Sequence, residues 1–363
     1  MKKCLLLIPR MGNGGAERVM ATIANNLCEE NEVEIVTMTD AESFYALDER
    51  VKITGLSQNV NRKNKITLLC SMAVGGLKTF FALKKKIKEE KPDVLLSFLQ
   101  SANMMAILLK MMGGKFRLVV SERCDPAERG FGNRFFEKHF YCKADVTVCQ
   151  SKKVMEFFRE KHRAKMTVIP NPIAADAIPP RFEGERKHTV VGVGRLSNQK
   201  NFAMLIRAFA ALPERFSDYT LEIYGGGPLE DSLRSLIEEL GLSDRATLMG
   251  VKKNVMHYIS DRALYVMSSD YEGFPNALAE AMATGLPVIS TDFSTGVAKD
   301  IVKAENGMVV PVRDEAALLS AMEAMLSAEE KWEGMSQENR KLLDTLSEKN
   351  VMKMWVDVLE LDK

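Results

Sequence analysis

Histidine is scarce: four residues, at 139, 162, 188 and 257, are scattered through 363. The six cysteines, at 4, 28, 70, 124, 142 and 149, form no Cys-x-x-Cys pair. Without clustered thiols and imidazoles there is no zinc-ligand pattern, and the cysteines read as buried, reduced thiols of a cytoplasmic protein. Long apolar runs are also missing. The longest uncharged stretch is Val94–Leu109, 16 residues interrupted by Ser97, Gln100, Ser101 and Asn103. A membrane-spanning helix needs about 20 mostly apolar residues. The apolar run Cys4–Pro9 stops at Arg10, which is too short for a secretory signal. There is no Asp-x-Asp, no low-complexity tract and no short fixed repeat. A net charge of one sign is lacking too, since 50 Lys and Arg face 49 Asp and Glu.

That balance conceals an asymmetry. Residues 1–170 hold 29 basic and 19 acidic side chains, an excess of ten, whereas residues 171–363 hold 21 and 30, a deficit of nine. From Arg50 to Lys88 there are ten basic residues and no acidic one. A basic half points to an anionic partner, either a membrane surface or a phosphorylated substrate. Hydrophobic residues at 46% and charged residues at 27% are ordinary globular values, and the length suits two domains.

Short apolar runs alternate with longer amphipathic ones. Cys4–Ile8, Val33–Thr37, Val94–Phe98, Leu118–Val120, Val146–Cys149 and Met166–Ile169 read as buried strands. Ala16–Glu30, Ser101–Met112, Phe131–Cys142 and Lys152–His162 read as the helices between them. Residues 171–186, with Pro172, Pro179 and Pro180 and no periodicity, read as a linker. The pattern then restarts. Strands are expected at Val190–Val193, Leu221–Tyr224, Ala246–Leu248, Leu264–Met267, Val288–Ser290 and Gly307–Val310. Helices are expected at Asn201–Leu212, Leu229–Leu240, Asn276–Thr284 and Glu315–Leu326, followed by a largely helical tail, Ser336–Leu361. Strands alternating with crossover helices make parallel sheets covered on both faces, so the expected fold is two doubly wound α/β domains. The expected domains are 1–170 and 187–344, with the helix near 345–363 returning to the first.

Four segments at strand ends carry candidate chemistry. Gly12-Asn13-Gly14-Gly15 opens the first helix; it is either a tight turn or a place where backbone approaches a ligand at a helix N-terminus. It is neither Gly-x-Gly-x-x-Gly nor a P-loop, which disfavours nicotinamide and NTPase readings. Arg195 and Lys200 flank a strand-to-helix loop, as solvated charges or as a clamp on pyrophosphate. Gly225-Gly226-Gly227-Pro228 is a turn, or a surface against which a flat nucleobase lies. The fourth segment, Tyr271-Glu272-Gly273-Phe274-Pro275-Asn276, leads into a helix that carries Glu280 among alanines. Carboxylates in such a setting need partners, and hydroxyls of a sugar or a ribose are suitable ones.

Glu272 and Glu280, with seven residues between them, resemble the Glu-x7-Glu motif of retaining family-4 glycosyltransferases. Glu-Gly-Phe-Pro before the helix and Ala283-Thr284-Gly285-Leu286-Pro287-Val288-Ile289 after it extend the likeness. So do Gly194-Arg195-Leu196 with Lys200-Asn201, Gly225–Pro228, Ile169-Pro170-Asn171-Pro172 and Gly14-Gly15-Ala16-Glu17-Arg18. The resemblance implies the GT-B fold, two Rossmann-like domains facing a central cleft, and transfer of a sugar from a nucleotide to an acceptor without a metal or other cofactor. It implies that Arg195, Lys200 and Glu272 carry catalysis. It implies that Gly14, Gly15, Gly225, Gly226, Pro228, Val251, Lys252, Gly273, Phe274, Pro275, Asn276 and Glu280 bind the donor. Gly12, Asn13, Glu122 and Arg123 are the acceptor or sugar candidates. Ser121-Glu122-Arg123-Cys124-Asp125 stands where many members have a histidine, and is similar to a variant in a branch that transfers N-acetylgalactosamine or galactose-type sugars to lipid-linked or surface glycans.

The expected function is therefore a retaining hexosyl or N-acetylhexosaminyl transfer from UDP-GalNAc, UDP-GlcNAc or UDP-Gal to such a glycan. A sugar-nucleotide epimerase or a non-catalytic binding protein is the alternative. Nucleic acid is not an expected partner. Ile66–Lys88 mixes apolar residues with lysines and is either an amphipathic helix on the sheet or, within residues 50–88, a contact with anionic membrane at its inner face.

Overall fold

In the computed structural model, which describes residues 1–56, 65–126 and 130–361, contacts divide the chain into two units. The first is Met1–Pro170 with the chain from Val351 onward, and the second is Asn171–Asn350.

The first unit has seven strands. They are β1 (Lys3–Ile8), β2 (Glu32–Thr37), β3 (Lys52–Gly55), β4 (Val94–Phe98), β5 (Arg117–Ser121), β6 (Val146–Cys149) and β7 (Met166–Val168). All pair in parallel, in the order β3-β2-β1-β4-β5-β6-β7. A central parallel strand is buried on both faces, which is why β1 and β4 read as unbroken apolar runs. β3 escaped the sequence reading because Lys-Ile-Thr-Gly is a short edge strand with only partly buried faces. The basic stretch 50–88 thus contains an edge strand and the helix Lys65–Glu90. The expected helix Lys152–His162 stops at Phe157 and resumes as 3-10 turns at Glu160–Lys165.

The second unit has six parallel strands: β8 (Lys187–Val193), β9 (Thr220–Tyr224), β10 (Ala246–Gly250), β11 (Arg262–Met267), β12 (Val288–Thr291) and β13 (Gly307–Val310). Their order is β10-β9-β8-β11-β12-β13. The segment 171–186 belongs to this unit. Ile173 and Ile178 are buried in its core, and the Ile173 N–H donates to Leu346 O. The tail, expected to be largely helical over Ser336–Leu361, consists of the helices Trp332–Arg340, Leu342–Thr345 and Glu348–Leu359. The last of these lies in the first unit from Val351 on, with Trp355 fully buried against Phe98.

In each sheet the strand order reverses beside the first strand, between β1 and β4 and between β8 and β11. Ligands of open α/β sheets bind at the carboxyl ends of the strands next to such a reversal.

Candidate functional site

The reversal in the second sheet brings together two loops distant in sequence. After β8 the chain passes Gly194 and Arg195, makes one 3-10 turn at Asn198–Lys200 and enters the helix Phe202–Ala210. Asn201 at the junction is left-handed, φ 47°, which only glycine and asparagine adopt at small cost. After β11 the chain passes Ser268 to Pro275 and enters the helix Asn276–Thr284.

Lys200 Nζ lies 2.5 Å from Glu272 Oε1. The same oxygen accepts from Ser269 Oγ at 2.8 Å, and Glu272 Oε2 accepts from Gln199 Nε2 at 3.3 Å. Both partners are largely buried, with 16% of the Lys200 side chain and 9% of the Glu272 side chain exposed. A charge pair so placed is sustained by its additional hydrogen bonds. Gly194 makes room for it: a methyl group there would come 2.8 Å from Lys200 Cε. Arg195 is exposed and forms no ion pair among the described residues.

Asp270 ties the two loops. Its Oδ1 accepts from Asn201 Nδ2 at 2.9 Å, its Oδ2 accepts from Arg313 Nε at 2.8 Å, and its N–H donates to Gln199 O at 2.8 Å. Ser268 Oγ donates to Lys200 O at 2.8 Å. Arg313, in the loop after β13, is also left-handed, φ 59°. Sequence reasoning missed Gln199, Ser269 and Asp270; the only signal was a polar Ser-Ser-Asp run at the end of an apolar strand.

Glu280 stands one turn into its helix, half-buried. Burial first, and then the charges of Glu272 and Glu280, hold the Tyr265 phenol on β11 well above its ordinary range. This fully buried tyrosine faces the field of both carboxylates, and no sequence pattern marked it. Asn276 Oδ1 accepts from Asn171 Nδ2 at 2.7 Å, while Phe274 is buried in the core of the unit.

The glycines 225–227 have a structural cause. Gly225 is at φ 149°, and a side chain on it would overlap Gly194 O; one on Gly227 would overlap Leu196 O. The Leu196 N–H donates to Gly226 O at 3.1 Å, so two backbones lie directly on one another. Gly226 faces Val251, whose Cγ2 lies 3.1 Å from the position of a Cβ there. Val251 is 78% exposed and Lys252 is exposed, beside the turn that ends in Pro228.

In the first unit the loop Gly12–Gly14 leads from β1 into the helix Gly15–Leu27. Tyr45 Oη donates to Gly14 O at 3.1 Å, and the Phe44 N–H donates to Met11 O at 2.9 Å, which fixes the loop. Glu122 and Arg123, two strands from β1, are inside the protein. Glu122 is fully buried; its carboxylate accepts from Cys124 N–H at 3.1 Å and from Tyr141 Oη at 3.3 Å. Arg123 lies over the rings of Phe98, 4.4 Å from the centroid, and Trp355, 5.3 Å. Burial lowers its guanidinium to about 9. Among the described residues, no cluster of three His, Cys, Asp or Glu side chains could hold a metal ion.

Two family models match consecutive parts of the chain, Glycosyltransferase Family 4 over residues 13–177 and Glycosyl transferases group 1 over residues 176–342. A Campylobacter jejuni relative is 32% identical over 335 residues, 91% of this chain and 90% of its own. It is GalNAc-alpha-(1->4)-GalNAc-alpha-(1->3)-diNAcBac-PP-undecaprenol alpha-1,4-N-acetyl-D-galactosaminyltransferase. A second protein of that organism, N-acetylgalactosamine-N,N'-diacetylbacillosaminyl-diphospho-undecaprenol 4-alpha-N-acetylgalactosaminyltransferase, is 30% identical over 90% of each chain. Among solved structures, sucrose-phosphate synthase from Thermosynechococcus elongatus superposes with a TM-score of 0.83 over 99% of both chains at 18% identity. The lipopolysaccharide outer core galactosyltransferase WaaB does so at 0.78 over all of both chains, also at 18%.

Proposed function

The chain belongs to glycosyltransferase family 4, with the GT-B fold, and we propose that it transfers N-acetylgalactosamine, with retention, from UDP-GalNAc to a lipid-linked glycan. The choice of sugar and acceptor is supported by the activities of the two Campylobacter relatives. The observation that carries the assignment of the donor site is the Lys200–Glu272 pair at the strand reversal of the second unit.

The chemical demand is to stabilise negative charge growing on the departing nucleoside diphosphate. Arg195, exposed and unpaired among the described residues, meets the pyrophosphate with its fork of donors. Lys200 exchanges part of its contact with Glu272 for the phosphate. Glu272, so released, accepts from sugar hydroxyls, and Glu280 accepts from the ribose. Gly225, Gly226 and Pro228 with Val251 and Lys252 border the base, and backbone N–H groups from Gly273 to Asn276 serve sugar or phosphate oxygens. Gly14 and Gly15 offer N–H groups at the start of the helix Gly15–Leu27, and Gly12 and Asn13 meet the acceptor. Glu122 and Arg123, being enclosed, act by shaping the end of β5.

An anionic membrane is the natural location of a lipid-linked acceptor. The helix Lys65–Glu90 supports such a contact, for Leu77, Lys78, Phe81, Lys84, Lys85 and Lys88 are all exposed and recur at helical spacing. Phe80 instead packs on the core, and Lys86 pairs with Glu34 at 2.6 Å. No described helix is long and apolar enough to cross a membrane.

The test is a panel of UDP- and GDP-sugars with and without an undecaprenyl-diphosphate-linked hexosamine acceptor. Acceptor-dependent release of UDP from UDP-GalNAc, with an α-linked product, is expected. Epimerised free nucleotide sugar, or binding without turnover, would replace this reading with one of the alternatives.

A further inference from the structure

Glu17 takes no part in the donor site, yet it is only 8% exposed, at the first turn of the helix Gly15–Leu27. Its position, three residues after the N-cap Gly14, is that of a capping-box glutamate. It makes no such bond. Among the described residues, no hydrogen bond or ion pair engages its carboxylate, and no side chain caps the helix. The carboxylate oxygens are not fully enclosed, so a ligand can supply the donor that the protein does not.

The glycine loop shapes the space in front of it. A Cβ on Gly14 would overlap Glu17 Oε2. The position of a Cβ on Gly12 lies 3.8 Å from Glu17 Oε1, 3.5 Å from Arg10 Nε and 3.8 Å from Arg10 Cζ. Arg10 is exposed and, among the described residues, has no hydrogen-bond or ion-pair partner of its own. An acceptor-only group and a donor-only group therefore flank one small empty position at the carboxyl end of β1, beside the reversal of the first sheet.

We propose that Glu17 and Arg10 form a seat for a hydroxyl of the acceptor sugar above Gly12. A hydroxyl donates to the carboxylate and accepts from the guanidinium at once, which neither a phosphate nor an ammonium does. A phosphate would be repelled by Glu17, and an ammonium by Arg10. The inference rests on the transferase reading above and adds the two side chains that hold the acceptor.

Gly12→Ala and Glu17→Gln test it. The added methyl meets nothing closer than 3.5 Å, and Gly12 is not in the left-handed region, so the alanine fills the seat without strain. Glutamine at position 17 caps a helix as well as glutamate does but lacks the charge. With UDP-GalNAc and the lipid-linked acceptor, each variant is expected to lose about 10- to 100-fold in acceptor kcat/KM, the range of one charge-assisted hydrogen bond. UDP binding measured by calorimetry should stay within about twofold, and thermal unfolding should keep its midpoint. The Gly12→Ala and Glu17→Gln losses should not multiply in the double variant, because both empty the same seat. Unchanged acceptor kcat/KM in Gly12→Ala, multiplying losses, or an equal loss of UDP binding would overturn the proposal. Wild-type protein that transfers no sugar at all would instead remove the reading on which it rests, and the seat with it.

Discussion

Lys200 Nζ lies 2.5 Å from Glu272 Oε1, across 72 positions of sequence. The cation proposed to clamp a departing pyrophosphate is thus paired to the carboxylate proposed to receive the sugar. On the proposed assignment, nucleotide binding competes with this pair.

The first expectation concerns that competition. Lys200→Ala should lower kcat by about 100-fold or more, by analogy with loss of one preorganised oxyanion donor. Glu272→Gln should lower kcat while leaving UDP binding similar, whereas Glu280→Gln should weaken binding of UDP itself. Calorimetry with UDP on each variant decides the division; equal weakening by both glutamines would end it.

Asp270 acts on Lys200 through Asn201. Asp270→Ala should reduce turnover about 10- to 100-fold, the scale of a 1 Å misplacement in a preorganised site. In a Lys200→Ala background the same change should cost much less, since its target is gone. Equal losses in both backgrounds, measured as UDP release, would assign Asp270 to general stability instead.

Asp145 makes stability depend on pH. Burial alone would raise its carboxyl, but the Leu118 N–H at 2.7 Å, and then Lys110, outweigh burial and hold it below the ordinary range. A carboxyl lowered in the folded state contributes stability above its unfolded value of about 3.9 and loses it as pH falls through the folded value. Asp145→Asn should therefore lower the urea midpoint at pH 7, and the gap to the parent should close below about pH 4. A gap that stays constant from pH 7 to pH 3 contradicts this.

The exposed stripe of the helix Lys65–Glu90 should bind anionic vesicles at low salt. Each engaged lysine contributes about 1 kcal/mol, and the charge contribution fades as the screening length falls from about 10 Å at 0.1 M to about 3 Å at 1 M. Phe81, 60% exposed, supplies the salt-resistant part. Sedimentation with anionic and neutral vesicles should show binding by the parent and its loss in Lys84→Glu/Lys85→Glu. A parent that ignores anionic vesicles at 0.05 M salt removes the membrane contact and leaves the transferase assignment intact.

The alternation of strands and helices was legible in the sequence because a parallel strand buried on both faces is a short apolar run and its crossover helix is amphipathic. Val94–Phe98 and Asn276–Thr284 were readable to the residue for that reason. The edge strand Lys52–Gly55 was not, since an edge strand has no such signature. Arg195, Lys200 and Glu272 were visible as residue types in loops after strands, and Glu280 as an acid within a helix, through the ordered motifs that resemble those of the family. Their partners were not. Strand order is a non-local property, so no local pattern shows that β8 and β11 are neighbours, that Asp270 reaches Asn201 and Arg313, or that Glu272 meets Lys200. The same holds for Arg123: its sequence neighbourhood marked it as a sugar contact, whereas a tryptophan 232 positions later encloses it. Burial depends on which helix returns to cover a strand end, and that is decided only when the chain has folded.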